Sequence, residues 1–419
     1  MDGAAWRAQP FVRLRTIGRS PLAASLPDMS DRADTIAEPD GGEADINWAG
    51  LAGVTATVSI FALAQGLSYP LLSFILERQG VSPGLIGLSA AMTPIGFIVS
   101  SLFIPAAARL WGAGRVALSC AAMSALVLAL IGWTQDLAWW FLLRFLIGLS
   151  TNPLYVLSEV WIIALATGPK RGRIMGLYTS IISGGFAAGP LCLLAVGAEG
   201  WPPFLVGIVA FVVCGLCLAA VLDRLPRVEE SGGSASVLGI VPLAWLLLAV
   251  VVVAAGFEQA MLALMPVYGA ARGLAEANVS ALLVALIVGN IALQPLLGML
   301  AERLTARRVL VGCGLVSAVG CALLPHAIGT AAVWPLMVVI GAASYGIYTM
   351  ALIELGERFS GAMLVAGNAA FALAWGIGGI MMTPAIGQVM GVAGAGGLPL
   401  SLAAICLALA LAVAVARRA

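Results

Sequence analysis

From Trp48 onward the chain is a series of apolar runs broken at charges, glycines and prolines. Each run reaches the ~20 residues that a helix needs to cross a bilayer. The breaks predict twelve helices: 48–76, 83–108, 114–134, 138–166, 173–197, 201–222, 239–268, 277–300, 308–329, 331–356, 362–389 and 396–416. A membrane barrel would instead show strands of ~10 residues with alternating polarity. Unbroken apolar runs point to helices, which satisfy their own backbone groups inside lipid. The expected fold is therefore an all-α polytopic membrane protein.

Polar positions organise these runs into domains. Residues 1–47 are a charged extension, with Arg7, Arg13, Arg15 and Arg19 followed by seven acidic residues from Asp28 to Asp45. It contains no apolar core of a signal peptide and is expected to be a disordered cytoplasmic segment. Met29 offers an alternative start. Residues 223–238 are the longest polar connection, and their central position suggests a cytoplasmic linker between two six-helix bundles, 48–222 and 239–419. If the N-terminus is cytoplasmic, eighteen of the 21 basic residues fall on the cytoplasmic side. Only Arg78 and Arg272 lie outside, and Arg144 alone is intramembrane. That asymmetry predicts both termini inside and an even number of helices.

Composition agrees with this pattern and narrows the chemistry. Hydrophobic residues make up 61% and charged residues 10%, against about 25% charged in soluble domains. The net charge of +1 gives no reason to expect nucleic acid. Seven cysteines, including the Cys214/Cys217 pair, sit inside apolar runs, where packing is the expected role. The only histidine, His326, rules out a histidine cluster for metal or catalysis. No phosphate-binding loop precedes a soluble nucleotide domain, so ATP does not drive the protein. No cofactor is expected.

The halves also echo each other. At an offset of 193–196 residues, Arg115-Val116 falls on Arg308-Val309, Gly80 on Gly273, Pro70 near Pro266, Gln65 on Glu258 and Glu159 on Glu354. Parallel repeats of this kind place a site at the repeat interface.

The stretch from Gly298 through Glu302, Arg303, Thr305, Arg307 and Arg308 resembles the major facilitator signature G-x-L-a-D/E-R-x-G-x-R-R. The first-half copy, from Pro105 to Arg115, is degenerate: Arg109 stands in the acidic position and Pro105 in the first glycine position. Arg144 and Gly148 resemble the family's R-x-x-x-G motif, and Gly185, Gly189 and Pro190 its G-x-x-x-G-P motif. The pattern around Ser158, Glu159 and Trp161 is similar to the YcaD-like branch of the major facilitator superfamily. The resemblance implies two pseudo-symmetric six-helix bundles with helices 1, 4, 7 and 10 around a central cavity. It further implies a monomer in the bacterial inner membrane that carries a small-molecule substrate.

Charge inside hydrocarbon is costly and marks function. Arg144 and Glu258 lie at similar depth and are expected to meet in the cavity, directly or through water, with Gln65 beside them. Glu258 is the preferred proton-coupling residue, with substrate contact and a structural ion pair as alternatives. Asn152, Tyr155, Tyr345 and Tyr348 are substrate-contact candidates. At the cytoplasmic end, Glu302, Arg303, Arg307, Arg308 and Glu354 are expected to form a gating network beside Gly298. In the first half Glu159 is expected to pair with Arg109, Arg115 or Arg173. The leading function is a proton-coupled secondary transporter of a small organic solute, with export favoured over uptake. The rivals are an ion-independent facilitator and a membrane-embedded protein that does not transport.

Overall fold

The computed structural model describes residues 47–165, 171–226 and 237–416. The N-terminal extension and most of the central linker lie outside these residues. Among the described residues there are twelve α-helices and no strand. The first six are α1 (Trp48–Arg78), α2 (Pro83–Trp111), α3 (Ala113–Thr134), α4 (Leu137–Leu165), α5 (Arg171–Val196) and α6 (Pro202–Val221). The second six are α7 (Val237–Ala271), α8 (Glu276–Arg303), α9 (Ala306–Ala327), α10 (Val333–Arg358), α11 (Gly361–Ala393) and α12 (Gly397–Val415). Eleven are long and apolar enough to cross a membrane. The other, α5, spans 26 residues and is apolar from Ser180 to Val196.

The breakers act where the pattern placed them. Gly80 and Gly273 end α1 and α7 with φ of 72° and 71°, a left-handed conformation that glycine adopts without steric cost. These are the equivalent positions of the proposed repeat. Helix α7 contains a break at Ala244 (φ −124°, ψ 19°), just after Pro242, which has no amide hydrogen to continue the ladder. At its other end, α1 is capped by Asn47, whose Oδ1 accepts from the Gly50 amide while its Nδ2 donates to the Arg224 carbonyl.

Helix association in lipid depends on close packing by small residues. A Cβ at Gly96 would meet the Phe145 carbonyl oxygen at 2.3 Å, and one at Gly148 the Thr93 carbonyl oxygen at 2.1 Å, so α2 and α4 touch backbone to backbone. Gly289 and Gly341 do the same for α8 and α10, at 2.0 Å from the Val338 oxygen and 1.8 Å from the Leu286 oxygen. Gly96 and Gly289 stand 193 residues apart, as do Gly148 and Gly341. The repeat offset read from the sequence is thus also the offset of these two close helix crossings.

The two sets of six meet where α2 packs on α11 and α7, α5 on α8, and α1 on α7. At the end where α1 turns into α2, Gly87 lies against Thr383 and Pro384, and Gly387 against Pro83. Beside them Arg78 pairs with Glu276 at 3.2 Å and with Glu199 at 3.3 Å. This end of the bundle is closed by small-residue packing and by charge.

Candidate functional site

Glu258 lies on α7, where its neighbours Phe257, Gln259 and Ala260 are all buried. It lines a small pocket together with Ala254, Ser344, Tyr345, Tyr348 and Trp375. The hydroxyl of Tyr345 is within hydrogen-bonding reach of the Glu258 carboxylate. Tyr345 and Tyr348 come from α10, three residues apart, and so face the same side of their helix. Trp375 comes from α11 and meets Tyr348 edge to face, with ring centroids 5.1 Å apart.

Arg144 is only 1% exposed, on α4, a helix that packs against α1, α2 and α3. Its Nε and Nη2 have no hydrogen-bond partner. Arg144 and Glu258, expected to meet directly or through water, make no direct ion pair: among the described residues neither makes a salt bridge within 4.0 Å. Instead Tyr69 of α1 lies within electrostatic range of both, and its hydroxyl is in hydrogen-bonding reach of Thr93 on α2. The two charges sit on different helices, and each has the same phenol in range.

The remaining central candidates divide into ties and walls. Gln65 is buried, and its Nε2 donates to Thr151 Oγ1 at 3.2 Å, tying α1 to α4. Asn152 donates from Nδ2 to the Phe97 carbonyl (3.0 Å), Ser100 Oγ (2.8 Å) and Ser101 Oγ (2.9 Å), a polar tie between α4 and α2. Tyr155 is 36% exposed although its neighbours Leu154 and Leu157 are buried. Its ring lies 6.1 Å from that of Phe61. Tyr155 also lies within electrostatic range of Glu159, Tyr178 and Tyr348.

At the other end of the bundle the expected charge network is not assembled. Arg307 donates from Nε and Nη2 to the Val413 carbonyl and from Nη2 to the Ala416 carbonyl. It thereby satisfies the last carbonyls of α12, which have no partner within their own helix. Glu354 is buried and pairs with Arg358, one turn further along α10. Glu302, Arg303 and Arg308 are exposed and make no ion pair with another described residue, and nothing lies within 4 Å of a Cβ placed on Gly298. In the first half Arg109 and Arg115 are exposed, and among the described residues neither pairs with Glu159. The side chain of Arg173 lies outside the described residues.

Tyr69, Tyr178 and Trp375 were not among the sequence candidates. Tyr69 stands one turn from Gln65 on the same face of α1, a spacing that would have flagged it. Trp375 belongs to α11, outside the four helices expected around the cavity, and nothing in the apolar pattern distinguishes it from a lipid-facing tryptophan.

The comparisons agree with this architecture. Residues 54–383 match the family model described as Major Facilitator Superfamily. The chain is 28% identical over 345 residues to the uncharacterised MFS-type transporter YfkF of Bacillus subtilis, covering 80% of this chain and 86% of that protein. It is 24% identical over 340 residues to the uncharacterised MFS-type transporter YcaD of Escherichia coli O45:K1, covering 77% and 84%. Among solved structures it resembles a mutant of the nucleoside transporter NupG, with a TM-score of 0.76 at 13% identity, covering 87% and 99%. It also resembles a bacterial homologue of the lysosomal transporter Spinster in an inward-facing, unoccupied conformation, with a TM-score of 0.71 at 13% identity, covering 89% and 96%. The chain belongs to the Major Facilitator Superfamily and is a membrane transport protein rather than an enzyme.

Proposed function

We propose that the protein is a proton-coupled secondary transporter of a small organic solute, working by alternating access between two six-helix bundles, 48–222 and 239–419. The observation that carries this reading is Glu258: a carboxylate at mid-helix depth, on the wall of a cavity, with a tyrosine hydroxyl in reach and no described basic residue within ion-pair distance. A charged group in such a place is costly unless it does work. A carboxyl whose surroundings alternate between the two faces of the membrane can take up a proton on one side and lose it on the other.

The distribution of basic residues supports cytoplasmic termini in a bacterial inner membrane. With that orientation the closed end, at Arg78, Glu199 and Glu276, faces outward. The exposed charges at Glu302, Arg303 and Arg308 then face the cytoplasm, an arrangement that fits an inward-facing state. Arg307, Arg308, Glu302 and Glu354 can exchange partners as the bundles rock. An inward proton gradient coupled to outward solute movement favours export, and the protein is expected to act as a monomer.

The test is transport in proteoliposomes under an imposed pH gradient, using labelled solutes of differing charge. Accumulation above equilibrium that collapses with an uncoupler supports proton coupling. Saturable flux that only equilibrates identifies an ion-independent facilitator and makes Glu258 a structural residue.

A further inference from the structure

The two halves carry corresponding side chains at four inner positions. In the first half these are Phe61 and Gln65 on α1 and Thr151 and Tyr155 on α4. Their counterparts, each 193 residues further on, are Ala254 and Glu258 on α7 and Ser344 and Tyr348 on α10. The same offset relates the close crossings at Gly148 and Gly341.

The first set is closed. Gln65 donates to Thr151 at 3.2 Å, and the ring of Phe61 packs on Tyr155 with centroids 6.1 Å apart. The second set is open: Ala254, Glu258, Ser344 and Tyr348 all line the small pocket. Gln65 and Glu258 are of similar size, Thr151 and Ser344 differ by a methyl group, and Tyr155 and Tyr348 are the same residue. The large difference is at Ala254, which lacks the whole phenyl ring of Phe61.

What lines the opening is chemically specific. Tyr348 and Trp375 meet edge to face at 5.1 Å, a separation that ring pairs favour. The polar groups are few: Glu258, the Tyr345 hydroxyl in reach of it, and Ser344. Aromatic walls with a few placed polar groups suit a flat body with one hydrogen-bonding edge. The pocket is small, and Tyr348 is only half-buried, so a ring enters as that side chain turns, a fast motion for a residue that is not packed in on all sides.

We propose that Ala254 determines which solute the pocket accepts: a molecule with a single flat ring, which takes the place that Phe61 fills in the first half, and with an N–H or O–H that donates to Glu258. The proposal rests on the reading of the chain as a carrier with Glu258 on the solute's path. It adds the shape of the solute and makes a small apolar residue the one that sets it. A ring at position 254 closes the pocket as Phe61 closes its counterpart.

The test uses the full chain purified in detergent, with Ser344→Cys as a reporter on the pocket wall. Its reaction with methyl methanethiosulfonate is read at residue 344 by peptide mass spectrometry, which separates it from the native cysteines. Three neutral probes are compared at equal concentration: benzamide, cyclohexanecarboxamide with a puckered ring, and N,N-dimethylbenzamide with no N–H. Benzamide is expected to slow the labelling severalfold and the other two to leave it nearly unchanged. Adding Ala254→Phe should abolish the protection by benzamide. Ala254→Val, a milder filling, should remove part of it and guards against a misfolded Phe variant. No protection by benzamide, equal protection by cyclohexanecarboxamide or by N,N-dimethylbenzamide, or protection unchanged in both Ala254 variants overturns the proposal. The carrier reading is judged separately. Proton-driven flux of a solute without a ring, together with no protection by benzamide, removes the ring class and leaves the carrier standing. Absence of any driven flux removes the carrier reading, and the labelling comparison still decides what the pocket accepts.

Discussion

Arg144 and Glu258 do not form an ion pair; the phenol of Tyr69 is within electrostatic range of both. The guanidinium is buried with two nitrogens unpartnered, and removing a buried charge that lacks a partner relieves desolvation rather than breaking a bond. Arg144→Gln is therefore expected to unfold in detergent no earlier than the wild-type protein, while its proton-driven transport falls by at least about tenfold, a change of ~1.4 kcal/mol. Thermal unfolding read alongside flux separates the two effects. A variant that unfolds early and transports normally when folded would make Arg144 a structural residue.

Gly148 and Gly341 make backbone contact with the neighbouring helix at equivalent points of the two repeats. Adding a methyl group at either must push the helices apart, at a cost of about 1–3 kcal/mol by analogy with overpacked cores. Gly341→Ala and Gly148→Ala should both lower the unfolding temperature. Gly312→Ala should not, because nothing lies within 4 Å of its Cβ position. Equal effects at all three positions would mean that the crossings are looser than described.

Arg78 joins α1 to Glu276 of α8 and to Glu199 of the α5–α6 loop, and its Nη2 also donates to the Ala198 carbonyl. Glu199 is 85% exposed and Glu276 35%. Exposed pairs contribute about 0–1 kcal/mol, so Glu276→Gln should loosen this end more than Glu199→Gln. A cysteine in place of Gln388, which faces Gly84 across the α2–α11 seam, reports the opening through its reaction with a membrane-impermeant maleimide. Arg78→Ala should raise the labelling rate severalfold. One molar salt, where the screening length is about 3 Å, should do the same to the wild type. Unchanged labelling in Arg78→Ala would leave α2–α11 packing as the whole closure.

What the sequence made legible was whatever depends on position along the chain. Helix number followed from apolar run length, and the repeat offset reappears in the paired Gly80/Gly273 turns and the Gly96/Gly148 and Gly289/Gly341 crossings. Charge partners were not legible, because they depend on side-chain direction. Arg307 and Glu302 share one motif, yet Arg307 turns to the end of α12. Glu354, expected to join that motif, is held by Arg358 one turn away on its own helix. Arg144 and Glu258 match in depth, but depth does not reveal the tyrosine in range of both. Trp375 entered the cavity from a helix that carries no charge pattern to announce it.

The most direct measurement is proton-driven solute accumulation in proteoliposomes by wild-type protein and by Glu258→Gln, reconstituted to equal density. The wild type should concentrate solute above equilibrium and lose that gradient when an uncoupler is added. Glu258→Gln should still carry solute down its gradient but should no longer accumulate it. Undiminished accumulation by Glu258→Gln would contradict the account, because the carboxylate would then not carry the coupled proton.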